Sequence, residues 1–239
     1  MPDASSADRV PDISARTRAA MIVIGFVPLL HAALTIAPVI LVLMGRPARM
    51  LVLTPVVLYL LPAVTVRSMT LRTTLPVGVV DLGSPLFLRW WFTAQCQVVF
   101  TRLPWLEELL RLVPALYSAW LRLWGSKIGA LVYWSPGVTV LDRSLVNLGD
   151  RVVFGAGVRL NPHVIAPIGG RRSLILAPVT IGSDALVGGY STLLPGCVIA
   201  PGEVTDAFRT VHPFTRVEGG RRSRLATIPI GNDLDALAG

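Results

Sequence analysis

A six-residue period dominates the second half of the sequence. From residue 181 to residue 204, four consecutive hexads begin with an aliphatic side chain and mostly carry a small residue at the fifth place. The hexads begin at Ile181, Val187, Leu193 and Ile199. This period fits neither the 3.6 residues per turn of an α-helix nor the two-residue alternation of an isolated strand. It is typical of a triangular coil with sides six residues long, each turning the same position inward.

The same phase is present further upstream. Three earlier hexads begin at Leu148, Phe154 and Leu160. Residues 166–177 interrupt the rhythm with a run containing Gly-Gly-Arg-Arg, which predicts a loop extruded from the coil. The rhythm resumes at Pro178, and the last recognisable hexad ends at Val204. We therefore expect a coil over residues 125–205, followed by a C-terminal tail over 206–239.

The first third of the chain is strongly apolar. The sequence is 53% hydrophobic and only 15% charged, with a mean hydropathy of +0.63. Residues 19–45 contain no Lys, Arg, Asp or Glu, which is enough to cross a bilayer core of roughly 30 Å. A second uncharged window covers residues 50–66 and is near the lower limit for spanning. The sequence predicts a disordered tail over 1–17 and a helical hairpin over 18–80, the alternative being two buried helices of a soluble protein.

The topology of this hairpin stays open at the level of sequence. Arginines flank every end of both windows, so the positive-inside rule barely discriminates between orientations. A hairpin that spans the bilayer and one that enters only a single leaflet are both compatible with the turn at 45–49. In either case both ends lie on one face, and we expect the C-terminal domain to be cytoplasmic.

A third kind of segment links hairpin and coil. Five of the six tryptophans lie between residues 87 and 124, alternating with arginines and aliphatic runs. This pattern predicts amphipathic helices over 81–124 that lie in the lipid headgroup layer, although the same stripe could pack against the hairpin or another subunit. The formal charge of +8 fits anionic lipid. Nucleic acid is not expected as a partner, because the basic residues are scattered among membrane-like sequence.

Histidine offers the best candidate for catalysis. The chain has three histidines, and His163 lies at the end of the first repeat block, beside the predicted loop. A histidine on a rigid scaffold can act as a general base near neutral pH, although a corner histidine bonded to backbone fits equally well. His31 lies within the first apolar window and His212 follows the repeats. Cys96 and Cys197 are expected to be buried thiols, because their spacing matches neither a disulfide framework nor a metal site.

The order of these motifs resembles that of the hexapeptide-repeat, left-handed β-helix acyltransferases, such as the galactoside, maltose and xenobiotic acetyltransferases. That family has a catalytic histidine, a loop, a segment similar to Pro-Val-Thr-Ile-Gly, an aliphatic-Gly-Gly element and a Leu-Pro-Gly hexad. In this sequence the order is His163, the loop, 178–182, 187–189 and 194–196. The resemblance covers residues 123–204, about a third of the chain. It implies a left-handed parallel β-helix for this part, and the predicted membrane hairpin and interfacial helices before it complete an α+β chain.

The resemblance also implies an activity. Family members transfer an acyl group directly from acyl-CoA, or from acyl carrier protein, to a hydroxyl or amine. His163 would be the general base, and the backbone N–H of Gly189 would face the oxyanion. The resemblance further assigns Asn161 to the acceptor and Gly188, Ser191 and Pro195 to acyl-CoA. Arg171 and Arg172, or alternatively Arg221 and Arg222, could hold the phosphates of the coenzyme. It implies a homotrimer with membrane lipid as a further partner, no metal and no permanently bound cofactor.

The sequence departs from the family pattern at two points, and two other functions are compatible with it. Most soluble relatives carry Trp where this chain has Leu186, and their hexads continue beyond the point equivalent to Val204. A non-catalytic trimeric membrane scaffold would keep the coil without the chemistry. A metalloenzyme of the γ-carbonic anhydrase type would need three histidine ligands, and only His163 and His212 are placed to contribute.

Overall fold

The structure, a computed structural model, describes residues 13–168 and 171–225. Its N-terminal half is helical. The helices are α1 (Ala15–Ile24), α2 (Val27–Leu43), α3 (Leu53–Pro55), α4 (Leu61–Arg72), α5 (Pro85–Arg102), α6 (Trp105–Arg111) and α7 (Leu116–Trp124). Helix α1 begins at Ala15 because the Ser14 hydroxyl accepts the Thr17 N–H at 3.1 Å. It therefore starts inside the segment expected to be disordered, whose residues 1–12 lie outside the described part.

The two apolar windows form two long helical stretches. By length and composition, Ala15–Leu43 and Ala48–Arg72 could each cross a membrane, and most of their side chains are exposed. The second stretch is irregular: a 3₁₀ turn at Ala48–Val52 leads into α3, a π-helical turn at Val56–Leu60 and α4. His31 joins the two stretches, because its Nε2 donates to the carbonyls of Val57 (3.3 Å) and Leu58 (3.1 Å).

Helices α5 to α7 form a layer between the two long helical stretches and the coil. Trp90, Trp120 and Trp124 are buried, whereas Trp105 is exposed. This differs from the expected interfacial stripe: most of the indole rings belong to the protein core. The reason is that the layer has protein on both sides, since Ala63 of α4 and Ile128 of the coil share one apolar cluster with Trp120 and Trp124.

The C-terminal half is a three-sided coil of parallel strands. The strands are β2 (Lys127–Ile128), β3 (Tyr133–Trp134), β4 (Thr139–Val140), β5 (Val146–Leu148), β6 (Val153–Phe154), β7 (Arg159–Leu160), β10 (Val179–Ile181), β11 (Leu186–Val187), β12 (Thr192–Leu193), β13 (Val198–Ile199), β14 (Val204–Thr205), β15 (Thr210–Val211) and β16 (Thr215–Glu218). They form three sheets, which the chain enters in turn, with strand orders β2-β5-β10-β13-β16, β3-β6-β11-β14 and β4-β7-β12-β15. The hexad starts Ile181, Val187, Leu193 and Ile199 all point into the coil and are buried. The parallel-sheet part of the expected fold is thus observed.

The coil is longer than the expected 125–205. Its parallel ladders continue through β15 and β16, so residues 206–218 are coil and not tail. The hexad starts there are Thr205, Val211 and Val217, and the polar Thr205 conceals the period in the sequence. At the end of the coil, β17 (Arg221–Arg224) turns back antiparallel on β16. Residues 226–239 lie outside the described part.

Two insertions interrupt the coil at the same corner. A residue and its ladder partner are 18 apart between the third and fourth turns, as for Ile181 and Ile199. The step is 20 between the first and second turns, as for Val140 and Leu160, and 33 between the second and third, as for Leu160 and Leu193. The extra residues lie between β4 and β5 in the first case and between β7 and β10 in the second. All three ladders keep their register, so each insertion is confined to its corner.

The larger insertion is an antiparallel arm and not a loop. Strand β8 (His163–Ile168) pairs with β9 (Arg171–Leu176), and the expected loop residues 171–173 belong to β9. On its other edge β9 pairs antiparallel with β1 (Gly78–Asp81), which precedes α5. The pairing with β1 is what orders this segment, because it gives both edges of β9 a hydrogen-bonded partner. A strand from the N-terminal half of the chain, β1, therefore pairs with the arm that begins at His163 and holds it in place.

Candidate active site

His163 is the first residue of the arm, at the corner where the coil is interrupted. Its side chain is 25% exposed, and its Nδ1 lies 2.5 Å from Oδ2 of Asp142. Asp142 belongs to the two-residue insertion between β4 and β5, and its side chain is only 2% exposed. The two insertions stack on successive turns of the coil, which brings a carboxylate and an imidazole together across 21 residues of sequence.

Both carboxylate oxygens of Asp142 have a partner. Oδ1 accepts the indole N–H of Trp90 at 3.0 Å, and Oδ2 faces His163 Nδ1. An ionised carboxylate can only accept hydrogen bonds, so the nitrogen facing it must be Nδ1–H. In the neutral imidazole this leaves the lone pair on Nε2. The arrangement fixes both the tautomer and the ring orientation that a general base needs.

The surroundings of His163 act on its pKa in opposite directions. Burial lowers the pKa of the imidazole, while the hydrogen bond to Asp142 and the charge of that carboxylate raise it, and the net shift is upward from 6.5. A raised pKa makes the neutral imidazole a stronger base. His163 therefore gains proton affinity from the carboxylate beside it.

Trp90 connects the helical layer to this pair. Besides its bond to Asp142, its ring lies edge-on to the imidazole of His163, with 4.8 Å between centroids. Phe87 and Trp91 pack against Trp90, and the Trp91 indole donates to the Met21 carbonyl of α1 at 3.2 Å. The base is thus in contact with α5, and α5 is bonded in turn to the first helix of the hairpin.

Arg143, the residue after Asp142, anchors the insertion from the other side. Its side chain is buried; its Nε donates to Glu107 Oε1 at 3.0 Å, and its Nη1 donates to Gln97 Oε1 at 3.1 Å. The Arg143 N–H also donates to Gln97 Oε1, at 2.7 Å. Glu107 is satisfied further by the hydroxyl of Tyr117 at 2.5 Å. A buried ion pair with its remaining positions bonded specifies geometry more than it adds stability, so this network fixes where Asp142 points.

Asn161, the residue expected to contact the acceptor, lies two residues before His163. Its Oδ1 is buried and has no hydrogen-bond partner within residues 13–168 and 171–225. Its backbone N–H is used by the coil, donating to the Leu193 carbonyl at 2.8 Å. A buried acceptor without a donor is costly to leave unpaired, so this amide suits a ligand with an O–H or N–H group.

The residues expected to touch acyl-CoA are not gathered around His163 within one chain. Gly188 and Gly189 form the corner before β12, one full side of the coil away, roughly 15–20 Å by strand rise. Ser191 is buried: its hydroxyl donates to the Asp206 carbonyl and accepts the Arg209 N–H. Pro195 is buried as well. These residues lie between turns of the coil, and only Gly189 among them is partly accessible.

Outside the His163–Asp142 pair lie the two arginines of the arm, His212 and the two cysteines. Arg171 and Arg172 are exposed on β9, and Arg171 pairs with Asp81 of β1 at 3.1 Å. His212 is exposed and lies beyond β15. Burial raises the pKa of both Cys96 and Cys197 to about 12, so neither forms a thiolate readily. Within the described residues no group of three His, Cys, Asp or Glu side chains is placed to hold a metal ion.

Asp142 and Trp90 are the site residues that sequence reasoning misses. A signal for Asp142 does exist, because hexads starting at Ile128, Trp134 and Val140 fall two residues out of phase with those starting at Leu148. That slip marks the insertion. Trp90 has no comparable signal, since its bond to Asp142 crosses 52 residues of sequence.

Comparisons with known proteins give the following similarities. No protein-family model matches the chain. No curated protein matches it significantly. Among solved structures it is similar to a hexapeptide-repeat acetyltransferase of Vibrio cholerae, with 18% identity and a TM-score of 0.34 over 56% of this chain and 93% of that one.

Two further solved structures are of the same kind. One is a hexapeptide-repeat acetyltransferase of Vibrio cholerae O1 biovar eltor complexed with acetyl coenzyme A, with 20% identity and a TM-score of 0.36 over 58% of this chain and 91% of that one. The other is a maltose O-acetyltransferase of Clostridium difficile 630, with 14% identity and a TM-score of 0.26 over 56% of this chain and 90% of that one. The structural neighbours are thus hexapeptide-repeat acetyltransferases, at values too low to establish family membership.

Proposed function

We propose that this protein is a membrane-associated acyltransferase that uses acyl-CoA, or acyl carrier protein, as donor. The acceptor is a hydroxyl or amine of a lipid-like or small molecule. The observation that supports this most strongly is the pairing of His163 with Asp142, since it leaves a partly exposed imidazole with its lone pair on Nε2. The resemblance of the motifs from residue 123 to residue 204 supplies the reaction class.

The proposed reaction is a single displacement at the thioester. Nε2 of His163 accepts the proton of the acceptor O–H or N–H as that oxygen or nitrogen bonds to the thioester carbon. The C–S bond breaks, and the imidazolium returns its proton to the leaving thiolate, so that acylated acceptor and free thiol are the products. Asp142 keeps the proton on Nδ1 throughout and stabilises the transient imidazolium.

Two subunits would contribute to each active site. Gly189 lies one side of the coil away from His163 in the same chain, so its N–H can face the oxyanion only if it belongs to a neighbouring copy. Its N–H has no acceptor within the described residues. A fixed oxyanion donor of this kind is worth about 2.7–4 kcal/mol. Gly188, Ser191 and Pro195 are buried and would support the floor of the groove between two coils from within one chain, with Arg171 or Arg172 beside the phosphates of the donor.

An apolar face supports assembly into a homotrimer. The outward residues of the sheet β3-β6-β11-β14 are Tyr133, Val153, Leu186 and Val204, which stand in register and are exposed. The neighbouring corner adds Tyr190 and Phe208, exposed rings stacked at 5.3 Å. An exposed apolar patch of this kind marks an interaction site, and in a threefold assembly each copy would bury it against the next.

The proposed acceptor class follows from where the base is held. Trp90 touches His163, and its neighbour Trp91 is bonded to α1, the first helix of the apolar hairpin. A base this close to a membrane anchor suits an acceptor delivered by the bilayer. We place the catalytic coil on the cytoplasmic face.

The test is acyl transfer from radiolabelled acetyl-CoA to a lipid extract and, separately, to a panel of soluble alcohols and amines. We expect His163→Ala to lower kcat by roughly 10²–10⁴, the usual worth of a positioned base, and to lower thermal stability as well, because the buried Asp142 carboxylate loses its partner. His212→Ala, which changes an exposed histidine outside the site, is the matched control and should keep full activity. Equal turnover of both variants would show that His163 is not the general base. Labelling of soluble acceptors alone would show that the acceptor is not a lipid.

A further inference from the structure

The helical hairpin has an unusual distribution of charge. Residues 13–80 contain no acidic side chain and six basic ones. These are Arg16 and Arg18 at the start, Arg46 and Arg49 at the turn, and Arg67 and Arg72 at the end. Arg46 and Arg49 are exposed. Positive charge without acidic partners at both ends of an apolar surface is complementary to anionic lipid headgroups.

The apolar surface between these charges is continuous and has no protein partner within the described residues. Aliphatic side chains are exposed along both stretches, among them Ile22, Leu29, Ile36, Leu43, Leu51, Val56, Leu61 and Leu71. At 1.5 Å per residue the two stretches are about 43 and 37 Å long, so length alone would let each cross a bilayer. The depth and direction of insertion must therefore come from contacts and charges.

Contacts with the helical layer fix the level of the middle of the hairpin. Tyr59 lies near the midpoint of the second stretch; its hydroxyl donates to the Leu106 carbonyl of α6, and its own carbonyl accepts from Trp120, both at 2.9 Å. In the first stretch, His31 packs against Phe100 near the end of α5. The junction of α5 and α6 thus lies level with the middle of both stretches.

The position of the α5–α6 junction, level with the middle of the hairpin, argues against a hairpin that spans the membrane. A spanning helix has its midpoint at the bilayer centre, which would carry the α5–α6 junction there with it. Beside the junction lie Arg102 at the end of α5, which is exposed, and Glu108 of α6, whose side chain is 39% exposed and pairs with Arg111. Charged side chains and a break in helical backbone are not tolerated facing hydrocarbon.

The charges also argue against insertion of the tip alone. If the junction lay at the headgroups and the free half of the hairpin pointed inward, the stretch from residue 35 to the turn would reach about 15 Å deep. That is half of the hydrocarbon thickness, and it would place Arg46 and Arg49 near the centre of the bilayer. A charged side chain is strongly unfavourable at that depth.

We propose that the hairpin lies along one leaflet and does not cross the membrane. Its exposed aliphatic side lies at the boundary between headgroups and acyl chains of an anionic leaflet, with the arginines at both ends in the headgroup layer. This arrangement alone keeps Arg102, Glu108 and the turn arginines away from hydrocarbon. It rests on the membrane attachment in the proposed function, and it places His163 beside the same leaflet through Trp90 and α5.

Cysteine labelling in sealed membrane vesicles tests this. Cys96 and Cys197 are buried, so single cysteines can be introduced at exposed positions of the otherwise native chain. Ala48→Cys reports the turn, and Ser68→Cys, near the end of α4, is the matched control. Vesicles are oriented by protease access to the coil, and an impermeant maleimide–polyethylene glycol is added before and after permeabilisation.

We expect both cysteines to react without permeabilisation, from the side of the coil. Reaction of Ala48→Cys only after permeabilisation, with Ser68→Cys reactive throughout, would show a spanning hairpin. Reaction of Ala48→Cys only after detergent solubilisation would show a buried tip. Either result overturns the proposal, as does absence of the protein from the membrane fraction. Because labelling needs no turnover, it stands or fails independently of the acyltransferase assay.

Discussion

The substitution Asp142→Asn is the most direct perturbation of the proposed base. It preserves the shape of the side chain but removes the charge and one of its two acceptors. The amide has one oxygen, and the carboxylate it replaces faces two donors, Trp90 Nε1–H and His163 Nδ1–H. If the oxygen keeps Trp90, the amide NH₂ faces His163 and selects the tautomer with its proton on Nε2. The lone pair then lies on the nitrogen that cannot reach the acceptor.

The size of the effect follows from the role of the carboxylate. In serine proteases, replacing the aspartate that orients the catalytic histidine with asparagine leaves the wrong tautomer and lowers kcat about 10⁴-fold. A positioned base contributes roughly 10²–10⁴ in all, so we expect a loss of kcat in that range, or about 2.7–5.4 kcal/mol. Burial, which lowers the pKa of His163, would then be unopposed, so the pKa should fall below 6.5.

Two measurements check this, one of them independent of activity. Thiol release from acetyl-CoA gives kcat across pH: the wild-type rate should rise as the pH passes through the raised pKa of His163, and the variant should reach its lower plateau at more acidic pH. Because the chain has three histidines, imidazole NMR can follow each titration, with His163→Ala assigning the signal. Asp184→Asn, in an exposed pair with Arg151, is the control. Unchanged turnover and an unchanged His163 titration in Asp142→Asn would refute the reasoning.

Three further outcomes are expected. Trp90→Phe keeps an aromatic ring against His163 but removes the donor to Asp142, so NMR should show the pKa of His163 rising, because the carboxylate then has one donor fewer to share its charge with. The value of kcat should fall, because Asp142 is held by one hydrogen bond fewer, while Trp91→Phe should leave both quantities unchanged. Gly155→Ala places a Cβ 2.4 Å from the Gly189 nitrogen and should lower the free energy of unfolding by about 1–3 kcal/mol in denaturant titration, whereas Gly202→Ala, with nothing within 4 Å, should cost only about 1 kcal/mol for its positive φ. Because the folded pKa of His163 is raised, its pairing stabilises the fold fully below pH 6.5, and chemical unfolding should show this contribution being lost as the pH rises through the folded pKa. Asp142→Asn should reverse the direction of this dependence, because its His163 pKa is expected to lie below 6.5.

The coil is predictable from the sequence because its physics is local and repeated. An aliphatic residue at every sixth place buries one side chain per strand, and Ile181, Val187 and Leu193 occupy that place in the structure as expected. The end of the coil is not predictable in the same way, because Thr205 replaces the aliphatic residue there. The arm is indistinguishable from a loop in the sequence, because its partner edge, β1, lies in another part of the chain.

Only part of the candidate site can be predicted from the sequence in this way. His163 stands out in the sequence because it marks the end of a phased block. Asp142 lies in a slip of two residues, a small anomaly among short strands. Trp90 and the Arg143–Glu107 network depend on packing between distant segments, which no periodicity encodes. The aromatic run of 87–124 is compatible with lipid for the same reason, because an apolar stripe does not specify what covers it.

The clamp of β1 on the arm has a consequence for the order in which the protein is made. Gly78 pairs with Leu176, so 98 residues must be synthesised before that edge meets its partner. At about 5–20 residues per second this takes roughly 5–20 s. The hairpin leaves the ribosome well before then and can reach the bilayer while the edge of β1 is still unpaired. Membrane attachment would thus precede assembly of the Asp142–His163 pair, and a newly made chain would reach its membrane before it could react.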